Sequence, residues 1–210
     1  MKVLNLYAGI GGNRKLWTDV EVTAIEINPE IAKIYQDFFP NDIVIIADAH
    51  QYLLDHFDEF DFVWSSPPCP THSKLQSMII HNTNKIVYPE MSLYQEIIVF
   101  KEWFRGLFIV ENVQGYYEPL IMPSIKLHRH FYWSNFKITN FKVTDNRKHT
   151  EIKNNSTVYG FNIYDKKVNY DKSKILRNMV DPELGLHILN CALKKYDYNK
   201  QTQQTLFDNI

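Results

Sequence analysis

Four side chains in this sequence combine reactive chemistry with a position that could aim it. Cys69 stands in Ser65-Ser66-Pro67-Pro68-Cys69-Pro70-Thr71-His72-Ser73, directly after the apolar run Phe60-Asp61-Phe62-Val63-Trp64. Two prolines stiffen the backbone ahead of it, and a nucleophile must be held still and aimed. The bland alternative is a turn holding a small apolar cysteine. Glu111 follows the apolar run Leu107-Phe108-Ile109-Val110 and opens Glu111-Asn112-Val113. At the end of a parallel strand it would share a cleft with Cys69 on a neighbouring strand; otherwise it is a surface acid. Glu26 ends the run Glu21–Glu26, and Asp48 follows Asp42–Ile46. The spacing suits Glu26 to ribose hydroxyls. Asp48 has two readings, a contact to adenine or the N-cap of a helix over His50–His56.

These residues need elements to carry them. Val3–Tyr7 reads as a first strand, with the glycine-rich Ala8-Gly9-Ile10-Gly11-Gly12 after it, a helix opening over Asn13–Trp17, and a second strand ending in Glu26. Strand, glycine turn, helix, strand and acid form the nucleotide-binding pattern of doubly wound α/β folds. Asn28-Pro29 starts a helix with Ile31, Ile34, Tyr35 and Phe38 on its apolar face. Asp42–Ile46 is the third strand and the run before Cys69 the fourth. A polar loop is expected over Ile79–Asn84, an amphipathic helix over Leu93–Phe104, and a fifth strand over Leu107–Val110. Arg129–Phe136 reads as extended, and its mix of Arg and aromatics fits a nucleic-acid surface or a core strand equally. Residues 142–174 read as loops with short strands, one at Thr157–Gly160. A last helix starts at Asp181-Pro182, with Leu184, Ile188 and Cys191 in its apolar face.

Composition bounds the answer. The chain of 210 residues is expected to form one domain over residues 1–195, with a polar tail over 196–210. Its two cysteines, Cys69 and Cys191, are too far apart in sequence to suggest a disulfide framework or a metal cluster, so no metal is expected. The N-terminus lacks a signal-peptide pattern and no apolar run is long enough to span a membrane, so the expectation is a reduced, cytoplasmic protein. The net charge of -1 hides an asymmetry. Residues 1–65 hold 4 Lys/Arg against 11 Asp/Glu, and residues 120–195 hold 14 against 6. Either the basic half faces a polyanion or these are solvated charges on two sides of one domain.

In combination, Tyr7-Ala8-Gly9-Ile10-Gly11-Gly12, Glu26, Asp48, Pro67-Pro68-Cys69 and Glu111-Asn112-Val113 resemble the DNA cytosine-5 methyltransferases. The resemblance covers roughly residues 1–135, and Leu176-Arg177-Asn178-Met179-Val180 looks like a degenerate copy of the family's last motif. It implies an α/β fold with a doubly wound, mostly parallel sheet of the S-adenosylmethionine-dependent type and a small basic C-terminal extension. It implies S-adenosylmethionine as cofactor, held by Tyr7, Ala8, Gly9, Ile10, Gly11, Gly12, Glu26, Ile27, Asp48, Ala49, Pro67 and Asn178. Cys69 would add to carbon 6 of a cytosine flipped from DNA, Glu111 would protonate or hydrogen-bond ring nitrogen 3, and Arg129 would touch base or phosphate. Restriction-modification in a bacterial or phage-infected cell is the setting it suggests.

The sequence also departs from the family. Pro70 stands where Gln is usual, a second arginine near Arg129 is replaced, and Arg177-Asn178 replaces Gly-Asn. Only about 40 residues separate Phe136 from Arg177, so the recognition region, about 137–175, is short. RNA as substrate, a modified methyl donor, and a catalytically silent DNA-binding subunit are the competing readings. Gln203-Gln204-Thr205-Leu206-Phe207 resembles the short peptide by which bacterial replication proteins dock on the sliding clamp.

Overall fold

A computed structural model of the chain describes residues 1–83, 86–142, 159–166 and 168–207. Its strands are β1 (Lys2–Leu6), β2 (Glu21–Ile25), β3 (Ile43–Ile45), β4 (Phe62–Ser65), β5 (Leu107–Val113), β6 (Ile125–Leu127) and β7 (His130–Ser134). Its helices are α1 (Pro29–Phe38), α2 (Ala49–His56), α3 (Lys74–Thr83), α4 (Ser92–Glu102), α5 (Lys172–Arg177) and α6 (Pro182–Phe207). The strands form one sheet in the order β3-β2-β1-β4-β5-β7-β6. The first five strands pair in parallel, and β7 runs antiparallel to both of its neighbours. This is the expected doubly wound α/β fold. The strand order reverses between β1 and β4, which opens a crevice at their carboxyl ends.

The central strands are parallel because both of their faces find apolar cover. Val3, Phe62, Trp64, Leu107 and Ile109 face Leu184, Ile188 and Leu189 of α6. Leu4, Leu6, Val63, Phe108 and Val110 face Leu53 of α2 and Leu93, Ile97 and Phe100 of α4. A third cluster joins Ala8, Ile10, Tyr35 and Phe39 to Phe161, Ile163, Leu176 and Met179, so the C-terminal segment packs on the glycine-rich loop. Among the described residues, no helix is long and apolar enough to cross a membrane.

Several local expectations are corrected. Asn13–Trp17 forms successive turns, with Lys15 N donating to Gly12 O at 3.3 Å and Trp17 N to Arg14 O at 3.0 Å. Distant partners fix these residues: Trp17 Nε1 donates to Gly185 O at 3.1 Å, Asn13 pairs with Asn5, and Arg14 grips Asp42 at 2.8 and 2.9 Å. A Cβ on Gly185 would overlap the Asn13 backbone, so the start of α6 packs directly against this segment. Ile79–Thr83, expected as loop, belongs to α3; Asn84 lies outside the described residues. Ser73 Oγ accepts from Gln76 N at 3.3 Å at that helix's start, and no Gly or Pro interrupts residues 74–87. The fifth strand runs on through Glu111 to Val113, because β7 pairs with it out to Val113↔His130.

Arg129 is not on a strand. It lies with His128 (φ 53°) in the two-residue turn between Leu127 and His130. The Cys191 side chain packs half-buried against the core beside Ile188, as expected. From Tyr196 the chain continues as helix α6 to Phe207. The side chains of Gln203–Phe207 lie outside the described ones, as do Thr157 and Val158 of the expected short strand. Tyr159 and Gly160 instead make a helical turn.

Candidate active site

The crevice begins at the end of β1. Tyr7 adopts φ 54°, a left-handed conformation unusual for a residue with a Cβ. Gly9 follows at φ 56°, and a Cβ built on it would meet no atom within 4 Å. The bare Gly9 backbone therefore borders open space, which lets a ligand approach closely. Gly11 and Gly12 do something else. A Cβ on Gly11 would overlap the Phe39 ring, and one on Gly12 would overlap Met179 Cγ and the Val180 carbonyl. Ala8, Ile10, Gly11 and Gly12 are buried in the packing behind the loop. Gly12→Ala is expected to lower stability by about 1–3 kcal/mol through overpacking, measured by thermal unfolding. Asn178 caps the end of α5, exposed, immediately before the Met179 that lies on Gly12.

Glu26 stands just past β2, 9 % exposed. Its Oε2 accepts from Gly9 N at 3.0 Å and its Oε1 from Asn28 N at 2.9 Å. Burial raises its pKa, against the pull of those backbone donors. The carboxylate is thus fixed in direction at the cleft, with lone pairs to spare for a diol. Beside it Ile27 is 65 % exposed, an apolar shelf at the rim. Asp48 is exposed and caps α2, its Oδ1 accepting from Gln51 N at 2.9 Å. Ala49, the first residue of α2, is buried. An acid beside a bare glycine and an exposed apolar side chain fit the ribose and adenine of S-adenosylmethionine. Glu26, Gly9 and Ile27 are the residues here that could hold it.

The second half of the crevice lies after β4 and on β5. Ser65 pairs with Val110, which sets Ser66 beside Glu111. Ser66 Oγ donates to Glu111 Oε2 at 3.1 Å and accepts from Trp64 Nε1 at 2.8 Å. His130 Nε2 lies 3.8 Å from Glu111 Oε1. The next residue, Asn112, donates from Nδ2 to Pro67 O at 3.0 Å and so ties β5 to the buried Pro67 of the Pro-Pro-Cys turn. Cys69 O accepts from both His72 N and Ser73 N at 3.1 Å. His72, 2 % exposed, pairs its Nδ1 with Tyr117 Oη at 2.6 Å. Both flanks of Cys69 are thereby anchored, as an aimed nucleophile requires. Burial, then the negative charge of Glu111, raise the thiol's pKa, while the Arg129 guanidinium pulls it down. Cys69, Glu111 and Arg129 therefore share one electrostatic environment.

Sequence reasoning missed two residues here. His130, read only as a His or aromatic in place of a second arginine, had no role assigned beside Glu111. Glu96 escaped although a signal was present: it lies three residues after Leu93 and four before Phe100, on the apolar face of α4. It is fully buried and takes Tyr7 Oη at 2.6 Å, Ser65 Oγ at 2.6 Å and His50 Nδ1 at 3.0 Å.

The family model for C-5 cytosine-specific DNA methylase matches residues 1–205. No curated protein matches the chain. Similar solved structures include a mutant of Spodoptera frugiperda DNMT2, at 24% identity and TM-score 0.38, covering 55% of this chain and 36% of that one. The Entamoeba histolytica methyltransferase EhMeth is similar at 13% identity and TM-score 0.41, covering 74% of this chain and 59% of that one. A conserved hypothetical protein of Streptococcus pyogenes shows 16% identity and TM-score 0.39, covering 63% and 83%. The chain thus spans about a third of the DNMT2 chain it resembles.

Proposed function

Since the chain belongs to the C-5 cytosine-specific DNA methylase family, we propose that it methylates carbon 5 of cytosine in DNA through a covalent bond from Cys69 to carbon 6. One observation carries this reading. An anchored cysteine in the turn after β4 and a buried glutamate on β5, one residue past the last β4 pair, are tied together through Ser66 and Asn112. Glu26 faces the same crevice from β2.

Carbon 5 of cytosine is a poor nucleophile, and a thiolate at carbon 6 corrects that by pushing electron density toward carbon 5. The Cys69 thiol first loses its proton to solvent; its sulfur then bonds to carbon 6 as the carbon 5–carbon 6 π pair moves to the carbon 4–carbon 5 bond and the carbon 4–nitrogen 3 π pair moves onto nitrogen 3. Glu111, protonated when the base is bound, gives its proton or a hydrogen bond to nitrogen 3. Ser66 holds the Glu111 carboxyl in place for this, with His130 beside it. S-adenosylmethionine, when bound, would supply the methyl group to carbon 5 from its sulfonium, leaving as S-adenosylhomocysteine. Departure of the carbon 5 proton to solvent and then of the Cys69 sulfur, with the nitrogen 3 proton returned to Glu111, restores the aromatic ring and the free enzyme. The target base must leave the duplex to be reached on both faces.

Incubation with labelled S-adenosylmethionine and a mixture of DNA and RNA, followed by nucleoside mass spectrometry, tests this. 5-Methyldeoxycytidine is the expected product. Label confined to RNA, or to another atom of the base, overturns the assignment. Glu26→Ala is expected to weaken donor binding roughly 10- to 100-fold, the worth of a hydrogen bond to a charged group. Calorimetry with S-adenosylhomocysteine reads this directly.

A further inference from the structure

Glu96 is the most completely buried carboxylate near the crevice, and the proposed chemistry does not use it. We propose that Glu96 is a positioning residue that ties three walls of the methyl-donor cleft together, with His50 as the member that makes the cleft sensitive to pH. The inference rests on reading the crevice as a donor site.

The geometry is specific. Tyr7 leaves β1, Ser65 ends β4, and His50 lies in the first turn of α2, two residues past Asp48. These three elements have no covalent reason to agree in position. All three meet on one carboxylate: Oε1 accepts from Tyr7 Oη and faces His50 Nδ1, and Oε2 accepts from Ser65 Oγ. Tyr7 gains most from this. Its left-handed backbone is strained for a residue with a side chain and persists only where surroundings over-determine it. The bond from its hydroxyl to Glu96 supplies such a constraint. Two residues later Gly9 donates to Glu26, so the orientation of Tyr7 propagates into the donor-binding acid. On the other side, Ser65 adjoins Ser66, which holds Glu111.

A buried carboxylate needs compensation for lost hydration, and hydroxyls supply only part of it. His50, partly exposed, supplies charge when protonated. The groups facing it are Asp48 before α2, Glu90 before α4, and Gln95 and Glu96 within α4. The hydrogen bond to Glu96 raises the His50 pKa, against the effect of burial. The sign follows. An imidazole with a raised folded pKa contributes fully below its unfolded value, and its contribution is lost as pH rises through the folded one. The cleft should therefore loosen on the alkaline side.

The test uses the full chain. S-adenosylhomocysteine affinity is measured by calorimetry from about pH 6 to about pH 9, with thermal unfolding and amide exchange at Ala8 and Gly9 recorded without ligand. Wild type should lose affinity as pH rises, while His50→Gln, which keeps a donor but no charge, should show a flattened profile. Tyr7→Phe and Ser65→Ala, gentler than Glu96→Ala, should each weaken binding roughly tenfold. Tyr7→Phe should also speed exchange at Ala8 and Gly9. Variants that lose thermal stability but keep wild-type affinity and pH profile overturn the inference alone. Wild type that binds no S-adenosylhomocysteine at any pH overturns the donor-site reading, and the inference with it.

Discussion

Cys69→Ser is expected to abolish methyl transfer while leaving donor affinity within about twofold of wild type. A serine hydroxyl keeps the size and the turn but is far from ionising near neutral pH, whereas a thiolate is within reach. Cys69 belongs to the β4 side of the crevice, and Gly9, Glu26 and Ile27 on the other side are untouched by the change. Transfer rates should fall by at least about four orders of magnitude, since the route through carbon 6 is closed and not merely slowed. DNA carrying 5-fluorocytosine gives a second reading. Fluorine at carbon 5 cannot leave as a proton does, so wild type should stay bound to the DNA as a covalent adduct after one turnover. The serine variant should form none. An adduct that persists in Cys69→Ser would remove Cys69 from its role.

The positions of these residues could be read from the chain because the apolar runs that carry them are local, although their hydrogen-bond supports, Ser66 to Glu111 and Asn112 to Pro67, lie 45 residues apart. Val63-Trp64 and Ile109-Val110 are apolar on both faces, and runs of that kind announce central strands, with Cys69 in the turn after one and Glu111 next after Val110 on the other. Glu26 was legible in the same way. What was not legible depends on partners distant in sequence. Trp17 is drawn into the core by a hydrogen bond to Gly185, 168 residues on, and this cancels the helix that Asn13–Trp17 suggests. The extension of β5 past Val110 needs β7, whose register no local pattern states. α3 has no buried residue, so it carries no helical apolar stripe turned toward a core, and His81 and Asn82 made it read as loop. Glu96 was visible as an acid on an apolar face, but its meaning depends on Tyr7, Ser65 and His50, which only the folded sheet brings together.

Glu111→Gln should separate two properties of the site that a structural defect would lose together. Gln keeps the shape and can still take the hydrogen bond from Ser66, but it cannot give nitrogen 3 a proton, so transfer should fall by about 10²- to 10⁴-fold. The thiol should respond in the opposite direction. Burial raises the Cys69 pKa first and the charge of Glu111 raises it further, with Arg129 opposing both. Removing the glutamate charge leaves burial opposed by a backbone hydrogen bond and Arg129, so the pKa moves down and the thiolate fraction at neutral pH goes up. Alkylation of Cys69 by iodoacetamide should therefore be faster in Glu111→Gln than in wild type, and its midpoint in pH should lie lower. Cys191→Ser in both backgrounds confines the label to Cys69. A thiol that becomes more reactive while methylation collapses is the signature of an acid acting on the base and not on the nucleophile. Slower alkylation together with lost methylation would mean that Glu111 only holds the turn in shape, and methylation near the wild-type rate would take nitrogen 3 chemistry away from it.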